Sequence, residues 1–175
     1  IIAEVGNNHD GDIEKAKDLV YAAKASGAHS VKFQCIEYSK WVSNNLPVFK
    51  RAKISGYDKQ IDRLNSIKLS VENYIEIAEI CKSIKIDFGC TIFDQEILDK
   101  LDKYLAYRKV SSGEIHNLNT IKLHQHTNKP IILSTGLVRN FTDIERVSKS
   151  LSGKRLIFMH CVSQYPTSIS NSILS

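Results

Sequence analysis

Short runs of β-branched and apolar residues alternate along the chain with longer stretches in which apolar residues recur every three or four positions. The short runs are Ile1–Val5, Ser30–Cys35, Ile86–Thr91, Ala106–Ser111, Pro130–Ser134 and Arg155–His160, and each has strand length. Between the first two, Ile13, Ala16, Leu19, Val20 and Ala23 mark a helix that Gly27 stops. Ser70 is placed to cap a helix carrying Val71, Ile75, Ala78 and Cys81 on one face. Asp94 is placed to cap a shorter one with Ile97, Leu98 and Leu101. Thr142 and Glu145 have capping-box spacing for a last helix that ends near Leu151.

Strand–helix units repeated in this way predict a parallel sheet covered by helices. A closed (β/α)8 barrel and an open doubly wound sheet share the pattern. No G-x-G-x-x-G follows the first strand, which disfavours a dinucleotide-binding fold. Six strand runs are found where a complete barrel has eight. The segment between Cys35 and Ser70, which holds Trp41, Pro47 and Gly56, is far longer than an ordinary strand-to-helix connection. In a barrel it lies on the active-site face, as a lid or a disordered loop.

Composition narrows the function classes. The chain has 175 residues, 42% of them hydrophobic, enough for one domain with a core. No apolar run approaches the ~20 residues that span a membrane, and no basic region followed by an apolar stretch opens the chain. The net charge of +5 comes from lysines spread along the sequence rather than clustered among aromatics. That argues against a nucleic-acid partner and suits an anionic small molecule. Cys35, Cys81, Cys90 and Cys161 include no close pair. They read as reduced, mostly buried thiols of a cytoplasmic protein, not as a disulfide framework or a zinc site.

The candidate chemistry sits at the C-terminal ends of the strands, where barrels build their sites. Strand side chains alternate between faces, so Val31 and Phe33 point one way while Lys32 and Gln34 point the other. By the same alternation Glu4 stands opposite Ala3 and Val5. Thr91, Lys109, Ser134 and His160 fall near the ends of their own strands. A strand-end Thr or Ser is more often a turn residue, and a lone His more often a structural one. A lysine inside a sheet is harder to dismiss, because an unpaired buried ammonium is costly. Lys32 and Lys109 therefore require partners, either Glu4 and Glu114 or an anionic ligand. His124 and His126, two apart, cannot face one metal and read as an exposed helix end. His160 and Cys161, adjacent on a strand, point to opposite faces and are no nucleophile–base pair. Gly113 and Gly136 follow strand ends, where backbone amides either cradle phosphate or simply turn the chain.

Read in order, six stretches resemble the N-acetylneuraminate (sialic acid) synthase family. They are Ile2-Ala-Glu-Val-Gly-Asn-Asn-His-Asp-Gly11, Val31-Lys-Phe-Gln34, Cys90-Thr-Ile-Phe-Asp94, Lys109-Val-Ser-Ser-Gly-Glu114, Pro130-Ile-Ile-Leu-Ser-Thr-Gly136 and His160-Cys-Val-Ser-Gln-Tyr-Pro-Thr167. The resemblance implies an α/β fold, a (β/α)8 TIM barrel of which about six of eight units lie in this chain. It implies condensation of phosphoenolpyruvate with N-acetylmannosamine or a related N-acylated amino sugar. Carbon 3 of phosphoenolpyruvate attacks the sugar aldehyde, water adds at carbon 2, and phosphate leaves by C–O cleavage. Lys32, Thr91, Lys109, Ser112 and Ser134 resemble the family's phosphoenolpyruvate contacts. Glu114 resembles the carboxylate that holds the sugar hydroxyls, and Ser163 and Tyr165 line the sugar pocket. Glu4, Lys109 and Glu114 carry the catalytic roles, with Glu4 as the acidic residue near the metal water.

The cofactor so implied is a divalent metal, Mn2+ or alternatively Mg2+, whose two histidine ligands lie beyond Ser175 in the family. None is expected from this chain. The C-terminal antifreeze-like domain, which completes the partner's site in a homodimer, is likewise outside residues 1–175, so this stretch reads as a partial catalytic domain that is inactive alone. Ile92 stands where members often carry Pro, and Ser163 where some carry Asn. Two relatives of the leading reading remain open: a legionaminate- or pseudaminate-type synthase, and a Schiff-base aldolase on the same barrel. A degenerate, non-catalytic barrel would find these polar positions dispensable.

Overall fold

Ser30–Cys35 forms a strand buried on both faces, the signature of a parallel sheet with helices over it. The computed structural model describes residues 1–48, 56–164 and 167–171, and its chain divides into two units, Ile1–Leu105 and Ala106–Ser175. In the first unit β1 (Ile2–Gly6), β2 (Ser30–Cys35) and β3 (Asp87–Ile92) run parallel in chain order. Their register sets Glu4 beside Lys32, and Gln34 beside Thr91.

Helix α1 (Ile13–Ala25) starts at Asp12, whose carboxylate accepts from the amides of Glu14 and Lys15. It ends where Gly27 takes a φ of +80°, a conformation that costs a residue with a Cβ. Helix α3 (Val71–Ser83) opens with a capping box between Ser70 and Asn73. Asp94 caps α4 (Gln95–Leu101) through the amides of Glu96 and Ile97. Phe33 on β2 packs its ring 6.0 Å from Tyr74 of α3 and 6.0 Å from Phe88 of β3. Fully burying a ring of this kind stabilises a core by roughly 1.5–3 kcal/mol. The apolar face of β2 thus meets a helix, and Lys32 takes the opposite face, as the alternation predicts.

Among its described residues, the long connection after β2 holds regular structure. A short 3-10 turn (Tyr38–Lys40) follows β2, Pro47 pairs with Lys59 in an antiparallel bridge, and α2 covers Gln60–Ser66. The ends of the segment are drawn together by an ion pair between Glu37 and Lys68.

In the second unit β4 (Tyr107–Val110), β5 (Ile131–Ser134) and β6 (Leu156–Met159) are again parallel in chain order. Helices α5 (Leu118–Lys122) and α6 (Phe141–Ser150) connect them. Val110, Ile115, Ile121, Ile131, Leu133, Val147 and Leu151 form its core.

Two expectations are corrected here. Helix α6 is capped by Asn140, not by the Thr142–Glu145 pair. Asn140 Oδ1 accepts from the Asp143 amide at 3.3 Å, and Asp143 Oδ2 accepts from the Arg139 amide at 3.0 Å. Asp143 thus binds the residue before the cap rather than the cap itself, and Thr142 lies on the exposed first turn. His124 is buried at 1% exposure rather than lying on an exposed helix end. Helix α5 is five residues long, and the turn after it folds His124 back under the chain, with its amide on the Ile121 carbonyl. His126 is exposed, as expected.

Candidate active site

The first unit gathers Glu4, Lys32 and Thr91. Lys32, only 8% exposed, directs Nζ at Glu4 Oε2 (2.9 Å), Thr91 Oγ1 (3.1 Å) and the Phe33 carbonyl (3.4 Å). The parallel register brings this about: Glu4 is the cross-strand partner of Lys32, and Thr91 lies one strand over and two residues on. Gln34 Nε2, on the same face of β2, reaches Glu4 Oε1 at 3.5 Å. Gly6 lets the chain turn beside this carboxylate. Its φ is +54°, and a Cβ there would stand 3.1 Å from Glu4 Oε1.

The turn after β1 is bound to the long connection. Asn7 Nδ2 donates to Tyr38 Oη at 3.0 Å, and Gly11 packs so closely that a Cβ would lie 2.6 Å from the Ser66 carbonyl oxygen. Trp41 meets Phe93 edge-on at 5.2 Å, and Lys40 pairs with Asp94. That lysine, hydrogen-bonded to the Asp94 carboxylate, holds its pKa below the ordinary value. These contacts escaped the sequence reading because no local pattern announces them. The pair Gly6 and Gly11, flanking Asn7 and His9, was the available signal.

In the second unit Lys109 is 6% exposed and donates from Nζ to Ser134 Oγ at 2.6 Å and to the Val110 carbonyl at 2.8 Å. Strand β4 stops at Val110, which frees Ser112 from the strand alternation; it begins a 3-10 turn, Ser112–Glu114. A Cβ built on Gly136 would stand 2.8 Å from Ser163 Oγ and 3.7 Å from Ser112 Oγ, so both hydroxyls border this glycine. Ser163 Oγ donates to the Gly136 carbonyl at 2.6 Å. Glu114 is buried, and its Oε2 accepts from the Ser111 amide and hydroxyl, each at 2.8 Å. Ser111, absent from the expected site, is thus the immediate partner of Glu114. Tyr165 lies outside the described residues.

Thiol chemistry finds no support among the buried cysteines. Burial pushes Cys35 and Cys81 up to about 12 and Cys90 well above its ordinary value, which keeps them protonated at neutral pH. Among the described residues no three His, Cys, Asp or Glu side chains come together to hold a metal ion. No helix of the described residues is long and apolar enough to cross a membrane. What each unit does offer is a buried ammonium hydrogen-bonded to a hydroxyl at the end of parallel strands, a combination suited to binding an oxyanion.

Comparison with known proteins gives this geometry a context. Residues 19–175 match the NeuB family. The N,N'-diacetyllegionaminic acid synthase of Legionella pneumophila is 36% identical over 178 aligned positions, which cover 96% of this chain and 50% of the relative. The N-acetylneuraminate-9-phosphate synthase of Drosophila melanogaster is 31% identical, covering 95% of this chain and 46% of the relative. This chain therefore spans about half the length of the curated relatives it matches. The crystal structure of the N-acetylneuraminic acid synthetase from Leptospira borgpetersenii superposes with a TM-score of 0.78 at 24% identity, over 98% of this chain and 56% of that one. The fold is shared with that structure.

Proposed function

Because this chain belongs to the NeuB family, we propose that it supplies the phosphoenolpyruvate-binding part of a nonulosonate synthase, which joins phosphoenolpyruvate to an N-acylated amino sugar and releases phosphate. The single observation that carries the reading is Lys109, an ammonium 6% exposed at the end of β4 with its Nζ on Ser134 Oγ. An ammonium in that setting attracts a multiply charged oxyanion strongly, because little water competes for it.

Each residue has a part in this chemistry. Lys109, Ser112 and Ser134 hold the phosphate or carboxylate of phosphoenolpyruvate. The resemblance gives Lys32 and Thr91 the same ligand. Glu114, fixed by Ser111, receives hydroxyls of the sugar, with Ser163 and Tyr165 along the sugar pocket. Glu4, held by Lys32 and Gln34, is the carboxylate available to take a proton from the water that adds at carbon 2. The described residues do not fit the divalent cation, Mn2+ or Mg2+, that the resemblance implies; their chemistry is anion binding and proton handling. The acceptor is N-acetylmannosamine or a 2,4-diacetamido sugar, the legionaminate- and neuraminate-type relatives being similarly distant at 36% and 31% identity.

The intact polypeptide, given phosphoenolpyruvate labelled with heavy oxygen in its C–O–P bridge and either sugar, is expected to release labelled phosphate along with a nonulosonate. Lys109→Met is expected to weaken phosphoenolpyruvate binding by roughly 10- to 100-fold, the worth of a charged hydrogen bond. Unchanged affinity refutes the role of Lys109. A borohydride-trapped covalent adduct on Lys109 or Lys32 would favour an aldolase instead.

A further inference from the structure

The loop between β5 and α6, Thr135–Asn140, borders Ser112 and Ser163 at Gly136, and it is fastened from several directions. Thr135 Oγ1 donates to the Met159 carbonyl at 2.7 Å, and Ser163 Oγ to the Gly136 carbonyl at 2.6 Å. The next carbonyl along, that of Leu137, lies 3.1 Å from His116 Nε2. His116 lies just beyond the 3-10 turn that follows β4.

The surroundings of His116 make its Nε2 end the donor to the loop. His116 Nδ1 faces both Arg146 Nη2 at 3.3 Å and Asp143 Oδ1 at 3.6 Å. The Leu137 carbonyl only accepts, so His116 Nε2 donates to it. Arg146 is in turn held by Asp143 Oδ1 at 3.2 Å. The second oxygen of Asp143 accepts from the Arg139 amide at 3.0 Å, at the far end of the same loop. Asp143 is 8% exposed and carries a carboxyl held below its ordinary range, first by the hydrogen bond from the Arg139 amide. Asp143, Arg146 and His116 thus form one chain of contacts that begins and ends on the loop. Ser112 and Ser163, the candidate ligand contacts beside Gly136, meet neither His116 nor Arg146 through any of these bonds.

We propose that His116 is a positioning residue: through Leu137 it fixes the loop that brings Gly136 against Ser112 and Ser163, and so sets the affinity for the phosphate end of phosphoenolpyruvate. The inference rests on the phosphoenolpyruvate reading above. It goes beyond it by assigning control of that subsite to a histidine that need not touch the ligand. A side chain here must donate from the position of Nε2. Glutamine places an amide nitrogen there, and asparagine, one carbon shorter, does not.

The test compares His116→Gln with His116→Asn in the intact polypeptide by calorimetric titration with phosphoenolpyruvate and, separately, with inorganic phosphate. Asparagine is expected to weaken both ligands by about fivefold, and glutamine to stay within about twofold of the original, the range of one neutral hydrogen bond. Thermal unfolding of each variant identifies any that fails to fold. The Gln-to-Asn contrast separates positioning from general stability, since both are uncharged amides. Equal affinities for the two variants overturn the inference, as does a loss confined to phosphoenolpyruvate with inorganic phosphate unaffected. Absence of any phosphoenolpyruvate affinity in the original protein overturns the underlying reading, and the inference with it.

Discussion

Glu4 on β1 and Lys32 on β2 are register partners, and their side chains meet with Oε2 2.9 Å from Nζ. The lysine side chain is 10% exposed and the glutamate side chain 47%. The pair therefore has one desolvated end and one end in water. The ammonium carries most of the desolvation penalty, and the carboxylate, with Thr91 Oγ1 and the Phe33 carbonyl, compensates it. Gly6 leaves room for that carboxylate, so the turn after β1 and the pair across β1 and β2 depend on each other.

Removing the charge at Glu4 should therefore be felt through Lys32. Glu4→Gln is expected to destabilise the fold by about 1 kcal/mol, a modest figure because water screens the exposed carboxylate. Lys32→Met should abolish that sensitivity, since it removes the ammonium and keeps the stem. A double-mutant cycle by urea unfolding measures the coupling. Strict additivity of the two changes would show that the pair contributes nothing.

The strands and the capped helices were legible in the sequence because they are written in local terms. β2 coincides with Ser30–Cys35, Ser70 and Asp94 cap the helices they precede, and Gly27 ends α1. The alternation along β2 also placed Lys32 opposite Phe33, and register did the rest by setting Glu4 beside it. Contacts between distant segments left no such trace. Asn7 on Tyr38, Gly11 against Ser66, and His116 on Leu137 join residues far apart in the chain. Where two local solutions competed, as for the cap of α6, the sequence pattern at Thr142 and Glu145 was equally good, and the hydrogen bonds of Asp143 to the incoming loop decided for Asn140.

That competition has a measurable consequence. Asn140→Ala should destabilise the fold by about 1 kcal/mol, the usual effect of losing an N-cap. Thr142→Ala, on the exposed first turn, should stay within about 0.5 kcal/mol of the original. Equal losses at the two sites by thermal or urea unfolding would mean that the helix starts later than Phe141.

The long connection after β2 should open in acid. Lys68, paired with Glu37, holds the Glu37 carboxyl below its ordinary value, with Ser39 assisting. A carboxyl whose folded pKa is depressed contributes stability above its unfolded value, and that contribution disappears as the pH falls through the folded one. The window therefore lies below the ordinary value of 4.5. The urea midpoint of Glu37→Gln should be lower than that of the original at neutral pH, and the two should converge as the pH falls below that value. Parallel curves would show that the staple between Glu37 and Lys68 does not close the segment.

Gly136 offers the sharpest test of the loop that the anion reading depends on. Nothing in its backbone conformation demands glycine; what excludes a side chain is space. A Cβ there would sit 2.8 Å from Ser163 Oγ and 3.3 Å from Cys161 Cβ. Gly136→Ala must therefore push the Ser163 hydroxyl off the Gly136 carbonyl, which it now meets at 2.6 Å. Overpacking and the lost bond together should destabilise by about 1–3 kcal/mol. Ser163→Ala on its own loses only the hydrogen bond, about 1 kcal/mol. In the double variant the oxygen that clashes is already gone, leaving the milder approach to Cys161. The combined cost should thus fall below the sum of the single costs by about 1 kcal/mol, measurable in a double-mutant cycle. If the costs add, the two side chains do not share that space, and Ser163 cannot be the residue that holds this glycine against the anion subsite.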